Sequence, residues 1–274
     1  MLFRPTSMIR RLKPMLLFRL LLSIAFIVSS AFVQATPQQL LGDLHSMRLA
    51  STNAVTNYYM FSGLDADSKY EQRIVESMER FDSALNSAQM LADNNGMTDS
   101  VKEISVNWKK FKNLMNINRT DIISKGFPEV GRVLDMSETN ETIVNQLSAA
   151  YVDLQQKSGI VPNKKIQQAR TLALLMEEIT SEYAIRATTN MGHVFAGIGD
   201  SAIVEMADNF QKQLQALLAA ANSPKTEALL SNIESKWKFI ETRIRNFNEN
   251  TVVFLVVSYN DRIVEHLQEL EELL

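Results

Sequence analysis

The 274-residue chain has no cysteine, only nine glycines and six prolines, two tryptophans and three histidines. Without thiols it can have no disulfides, thiolate metal sites, c-type haem attachment or lipid-modified N-terminal cysteine. The few Gly and Pro punctuate the chain at the places where helices should stop. His45, His193 and His266 have no partner at metal-ligand spacing, and no metal centre is expected from them. Thirteen methionines would allow a Met/His haem arrangement, but several sit at periodic apolar positions where they fill gaps, so no cofactor is expected. No Gly-x-Ser-x-Gly elbow, phosphate loop or dinucleotide fingerprint occurs. The carboxylates lie mainly in helix-surface patterns such as ELEELL, which gives an enzyme no constellation to stand on.

Long hydrophobic runs are scarce too. The leading candidate is Leu20 to Val33, preceded by Arg4, Arg10, Arg11, Lys13 and Arg19 and followed by small residues at Val33 and Ala35. This is the pattern of a secretory signal peptide over residues 1–35, cut after Ala35, with an uncleaved inner-membrane signal anchor as the alternative. TVVFLVVSY (251–259) is the most apolar run thereafter and is too short to span. Five of the 28 basic residues fall in the leader, and the other 23 face 31 acidic ones, a charge of −8 for the exported part. That balance excludes the basic footprint nucleic acid requires. A periplasmic protein is expected.

What the chain does contain is internal repetition. Sliding it on itself by 129 residues aligns 47–109 with 176–238 without a gap, and eleven of the 63 positions are identical, against about four for random pairing. Phe81/Phe210, Leu85/Leu214, Ile104/Ile233 and Trp108/Trp237 are among them, and most identities fall on seams of apolar residues spaced three and four apart. The spacing predicts helices at about 37–62, 66–94, 98–118 and 138–158, and again at 162–190, 200–222, 225–247 and 250–273. The expected fold is all-α: two tandem up-down four-helix bundles from an internal duplication, residues 36–158 and 159–274, following the signal peptide. The nine-residue difference between the halves falls in 119–137, and the join lies near QKSGIVPNKK. Trp108, Trp237, Phe81 and Phe210 are expected to be core residues rather than ligand-stacking ones.

The first helix of the body is unusually polar for a seam. SMRLASTNAVTNYYMFSG places Arg48, Ser51, Thr52, Asn53, Thr56 and Asn57 among the apolar residues. Hydroxyls on a helix can simply bond their own backbone carbonyls. A cation with hydroxyl and amide donors beside it can also grip a small anion or polar solute, which makes Arg48, Ser51, Thr52 and Asn53 the candidate ligand-binding residues. A stripe of Ile263, Leu267, Leu270 and Leu274 on the last helix serves either the chain's own core or a homodimer.

At SMRLASTN the sequence resembles the N-terminal ligand-sensing domain of type IV pilus chemotaxis transducers, the PilJ-type domain, and the related periplasmic modules of nitrate and nitrite sensor kinases. That family carries a motif like Gly-Arg-Gln-Arg-Met-Leu-Ser-Gln-Arg on its first helix. Arg48 and Ser51 match it, with Leu49 and Ala50 as apolar counterparts, while His45, Ser46, Thr52 and Asn53 depart from it. In the second half Glu177 stands where Arg48 stands in the first. The resemblance implies a non-enzymatic, sensor-like periplasmic module that binds a small anion or polar metabolite. No signalling region follows, so it would act through an envelope receptor or a pilus or chemotaxis component. The rival expectation is a structural scaffold of the cell envelope with no small-molecule ligand.

Overall fold

A computed structural model describes residues 14–189, 200–247 and 252–274, with side chains from Pro37 onward. Among these residues the chain is all-helical. The helices are α1 (Pro14–Gly63), α2 (Ser68–Ala92), α3 (Thr98–Lys125), α4 (Val130–Ser158), α5 (Lys164–Thr188), α6 (Asp200–Ala219), α7 (Pro224–Arg245) and α8 (Val253–Leu273). None of them is long and apolar enough to cross a membrane. The signal-peptide reading falls partly outside the described residues, since 1–13 are not among them, and so do His193 and the glycines from Gly192 to Gly199.

Local signals set the boundaries. Asp67 accepts the Lys69 N–H at the start of α2, and Asn163 accepts those of Lys165 and Ile166 at the start of α5. Ser223 and Thr226 form a reciprocal capping box on α7, with Pro224 in the first turn, where its missing N–H costs nothing. Gly126 and Gly159 end α3 and α4 with left-handed backbone at φ 83° and 66°, a conformation that suits glycine.

Two boundaries differ from the sequence expectation. Residues 119–137 were expected to hold the irregular insertion of the first half. Instead α3 runs on to Lys125 and α4 starts at Val130, so the extra length becomes additional helix on a tight hairpin. The apolar seam simply continues: Met115 and Ile122 face Val133 and Met136, and Asp121 ties the tip through Lys125 and Arg132. At the other end, α1 does not begin at 37. It runs unbroken from Pro14 through Pro37.

Within the first half α1 packs on α2 and α4, and α3 on α4 and α2; within the second, α5 packs on α8 and α6, and α7 on α8 and α6. Each group closes around an aromatic pair. Phe81 stacks on Trp108 at 3.7 Å between ring centroids and 15° between planes, and Phe210 meets Trp237 at 4.3 Å and 40°. All four rings are buried, on helices and at positions that the 129-residue offset equates. The surroundings differ, however. Trp108 Nε1 donates to Asp82 at 2.7 Å, whereas Trp237 Nε1 is buried without a hydrogen-bond partner.

The two groups are not beads on a string. α1 and α5 lie side by side and parallel, shown by successive contacts of Gly42 with Arg170, Asn53 with Glu177 and Gly63 with Thr188. Their cores interlock across this pair. Leu49 of α1 belongs to the second core, while Ala184, Ile185 and Val257 belong to the first. The stripe on α8 is settled in part: Ile263, Leu267 and Leu270 are fully buried within the chain's own second core, with Leu274 packed against it.

Candidate functional site

The α1–α5 wall is where the polar residues go. Ser51 and Thr56 on α1 are fully buried and donate to the carbonyls of Arg48 and Thr52, both at 3.1 Å. These two hydroxyls are therefore satisfied by their own helix. Thr52 is half-buried, and only its carbonyl is engaged. Arg48 and Asn53 are different, and they face opposite flanks of the wall. The candidate ligand-binding residues are thus brought onto one helix but not into one cavity.

Arg48 opens into a cleft of about 350 Å³ between α1, α4, α5 and α6. Its guanidinium makes no hydrogen bond or ion pair, and its Nε is buried without a partner. Glu178, also in the cleft, exerts the largest opposite-charge pull on it, and burial pushes that carboxyl upward against Arg48's pull. Amide side chains line the opening: Gln155, Gln167, Asn209 and Gln213. At the inner end His45 is 3% exposed, with its Nε2 3.5 Å from Glu271 Oε1 and no hydrogen bond of ordinary geometry at either ring nitrogen among the described residues. Burial lowers its pKa, outweighing the nearby Glu271 carboxylate at 3.5 Å, so the imidazole is neutral at pH 7. Arg170 is committed, donating to Glu271 at 2.7 Å and to Tyr151 at 3.1 Å. Burial alone would favour protonating Glu271, but His45 and Arg170 outweigh it and hold the carboxyl below its ordinary value. The result is a guanidinium without a hydrogen bond, set among amide donors and the Glu178 carboxyl and held by four helices.

Asn53 faces the other flank, where α1, α2, α5 and α8 enclose a cleft of about 440 Å³. Its Oδ1 accepts from Ser77 at 2.8 Å, from Arg80 at 2.9 Å and from Asn57 at 2.9 Å. These three donors fix the amide so that Nδ2 points at Glu177, reaching both carboxylate oxygens at 3.3 Å. Glu177 is 3% exposed and hydrogen-bonded by no cation. Burial pushes its pKa up to about 7, with Asp261 pushing the same way and the Asn53 amide, the Asn260 amide and Arg80 opposing. Asn260, fully buried on α8, makes no hydrogen bond of ordinary geometry with either amide atom. One turn on, Glu182 is pushed up to about 7 as well, again by burial first and then by Glu178, against Arg186.

The two clefts are counterparts. One uses α1 and α2 of the first half closed by α5 and α8, the other α5 and α6 of the second half closed by α1 and α4. Ser46, Leu49, Arg80, Ala84 and Glu177 in the first stand 129 residues from Leu175, Glu178, Asn209, Gln213 and Arg48 in the second. The charges are exchanged between them: Glu177 occupies the place of Arg48, and Glu178 that of Leu49. Sequence reasoning registered Glu177 only as the loss of a second arginine. Its signal was an acid on a helical seam between Met176 and Ile179, where an isolated charge has to be accommodated by something.

No cluster of three or more metal-ligating side chains occurs among the described residues. Comparison of the chain with protein-family models, with curated proteins and with solved structures finds no match to any of them.

Proposed function

We propose that the protein is a non-enzymatic, sensor-like module whose Arg48 cleft binds a small anionic or polar ligand. The observation that carries this reading is the uncommitted guanidinium. Arg48 lines a four-helix cleft with no hydrogen bond or ion pair among the described residues and its Nε buried without a partner, beside a buried His45 and a rim of amide donors. Burying an unpaired polar group costs about 1–3 kcal/mol, so a ligand oxyanion that accepts from Arg48 would relieve the helix pair of a strain it otherwise carries. The resemblance of Arg48 and Ser51 to the PilJ-type motif supports the same assignment. A ligand here touches both halves, α4 and α6 as well as α1 and α5, and so would change how the halves sit on their shared wall. That is the form a signal to an envelope receptor, or to a pilus or chemotaxis component, would take.

The periplasm remains the proposed location. Cleavage after Ala35 would place Pro37 in the first turn of α1, where proline is favoured, whereas in the uncut helix Pro37 is an interior residue that lacks a hydrogen bond. The scaffold alternative draws on one observation: Ile123, Phe127 and Val130 leave the α3–α4 tip apolar, Phe127 being 67% exposed. Arg48→Ala separates the two readings. It abolishes small-anion binding if the sensor reading holds. If the protein is a scaffold, no anion binds the wild type, and an envelope partner is captured equally by both forms.

A further inference from the structure

The Glu177 cleft has no role in the reading above, yet it is the larger of the two and the more unbalanced. Its carboxylates stand at opposite ends. Glu177 is at the Asn53 end, and Asp43 lies ten residues earlier on α1, about 15 Å along the helix axis. Neither is ion-paired. Asp43 accepts only from Ser87 at 2.7 Å, and burial raises its pKa above the ordinary value, the Ser87 bond opposing. Arg80, the one cation in the lining, is turned to the Asn53 carbonyl and to Ser77 Oγ, at 2.9 and 3.1 Å. Apart from Gln268, the remaining walls are apolar or small, among them Leu49, Ala50, Ala84 and Val264. Fully buried beside Glu177, Asn260 leaves both its amide oxygen and its amide nitrogen without a partner.

We propose that this cleft is a second ligand site, taking a short linear α,ω-diamine with one ammonium on Glu177 and the other on Asp43. An extended chain of a few methylenes, with an N–H···O contact of about 3 Å at either end, is of the order of the ten-residue rise from Asp43 to Asn53. The methylenes lie along the apolar walls. At Glu177 the ammonium supplies the missing counter-charge, beside the buried Asn260 amide. The half-buried Asp43 end stays open to water, which accommodates the second charge. Exchanging arginine for glutamate at equivalent positions thus gives one fold an anion seat on one flank and a cation seat on the other.

The test is calorimetric titration of the full chain with 1,5-diaminopentane at about pH 8 and physiological salt, with n-pentylamine as the single-ended comparison. The expected result is saturable one-to-one binding, at least about tenfold weaker for pentylamine, a loss typical of removing one charged contact. Glu177→Gln abolishes it and Asp43→Asn weakens it at least about tenfold. The double variant Glu103→Gln with Glu141→Gln removes two exposed charges elsewhere and binds like wild type. Arg48→Ala also binds like wild type, which keeps this test independent of the anion cleft. Melting curves confirm that each variant is folded. Absence of saturable binding to the wild type overturns the proposal. So does equal affinity for pentylamine, undiminished binding by either folded carboxylate variant, or equal loss in the Glu103/Glu141 variant.

Discussion

Replacing Glu177 by Gln should stabilise the protein at neutral and alkaline pH and do little in acid. In the folded chain burial pushes the Glu177 carboxyl up to about 7, against an ordinary value of 4.5. The folded state therefore holds its proton more tightly than the unfolded chain does. Below about pH 4.5 the residue is neutral in both states and costs nothing. Between about 4.5 and 7 the unfolded chain ionises while the folded one does not, so stability falls as pH rises. Above about 7 the loss is complete, and at about 1.4 kcal/mol per pKa unit it amounts to roughly 3 kcal/mol. Gln keeps an oxygen for the Asn53 amide but cannot ionise, so it recovers most of this, about 2 kcal/mol. For a chain of this length that raises the melting temperature by roughly 4–8 °C. The assay is thermal melting of both forms in steps from about pH 4.5 to 8.5, where the two curves should diverge with rising pH. Parallel curves across this range, or a difference confined to acid, would refute the burial argument for Glu177.

Three further outcomes follow from the packing. Trp108→Phe should cost about 1 kcal/mol more than Trp237→Phe in urea unfolding, because only the first breaks an indole hydrogen bond, while Asp82 keeps its ion pair with Lys112. Equal costs would mean that Trp237 Nε1 has a partner. Gly63→Ala places a methyl 2.2 Å from Thr188 Cβ, so it should destabilise by about 1–3 kcal/mol, with Thr188→Gly restoring part of the loss. A neutral effect would show that the ends of α1 and α5 do not approach so closely. Sedimentation at tens of micromolar should show a monomer, since the α8 stripe that could have paired two copies is already buried in its own core.

Much of this architecture could be read in the sequence, and the reasons are local. Three- and four-residue spacing of Ile74, Phe81 and Leu85, or of Ile104 and Trp108, reports a buried helical face wherever that face is buried. It therefore placed the helices and both tryptophans. The same logic failed at 119–137, where Gly126, Pro128 and Gly131 suggested a loop. Only the turn needs them, while the flanking seam residues carry the helices on. The site was legible as far as one polar helix. That Ser51 and Thr56 close on their own carbonyls while Arg48 and Asn53 diverge depends on which helices pack on each flank. Asn53 meets Glu177 across 124 residues of chain, and no periodicity within either segment encodes that meeting. Nor does the 129-residue offset say that the equivalent helices lie against each other. It shows only that they are alike.

Ligand-induced thermal stabilisation is the decisive measurement for the proposal that Arg48 is kept uncommitted for a small anionic or polar ligand. Wild type and Arg48→Ala are melted in parallel against a panel of nitrate, phosphate, acetate and small polar metabolites. A ligand at about a hundred times its Kd contributes roughly 2.7 kcal/mol, which is a rise of about 5–10 °C for this chain. At least one compound should raise the wild-type melting temperature by that order and leave Arg48→Ala unmoved, if the Arg48 cleft is the ligand site. A panel that shifts neither form, or shifts both alike, contradicts it.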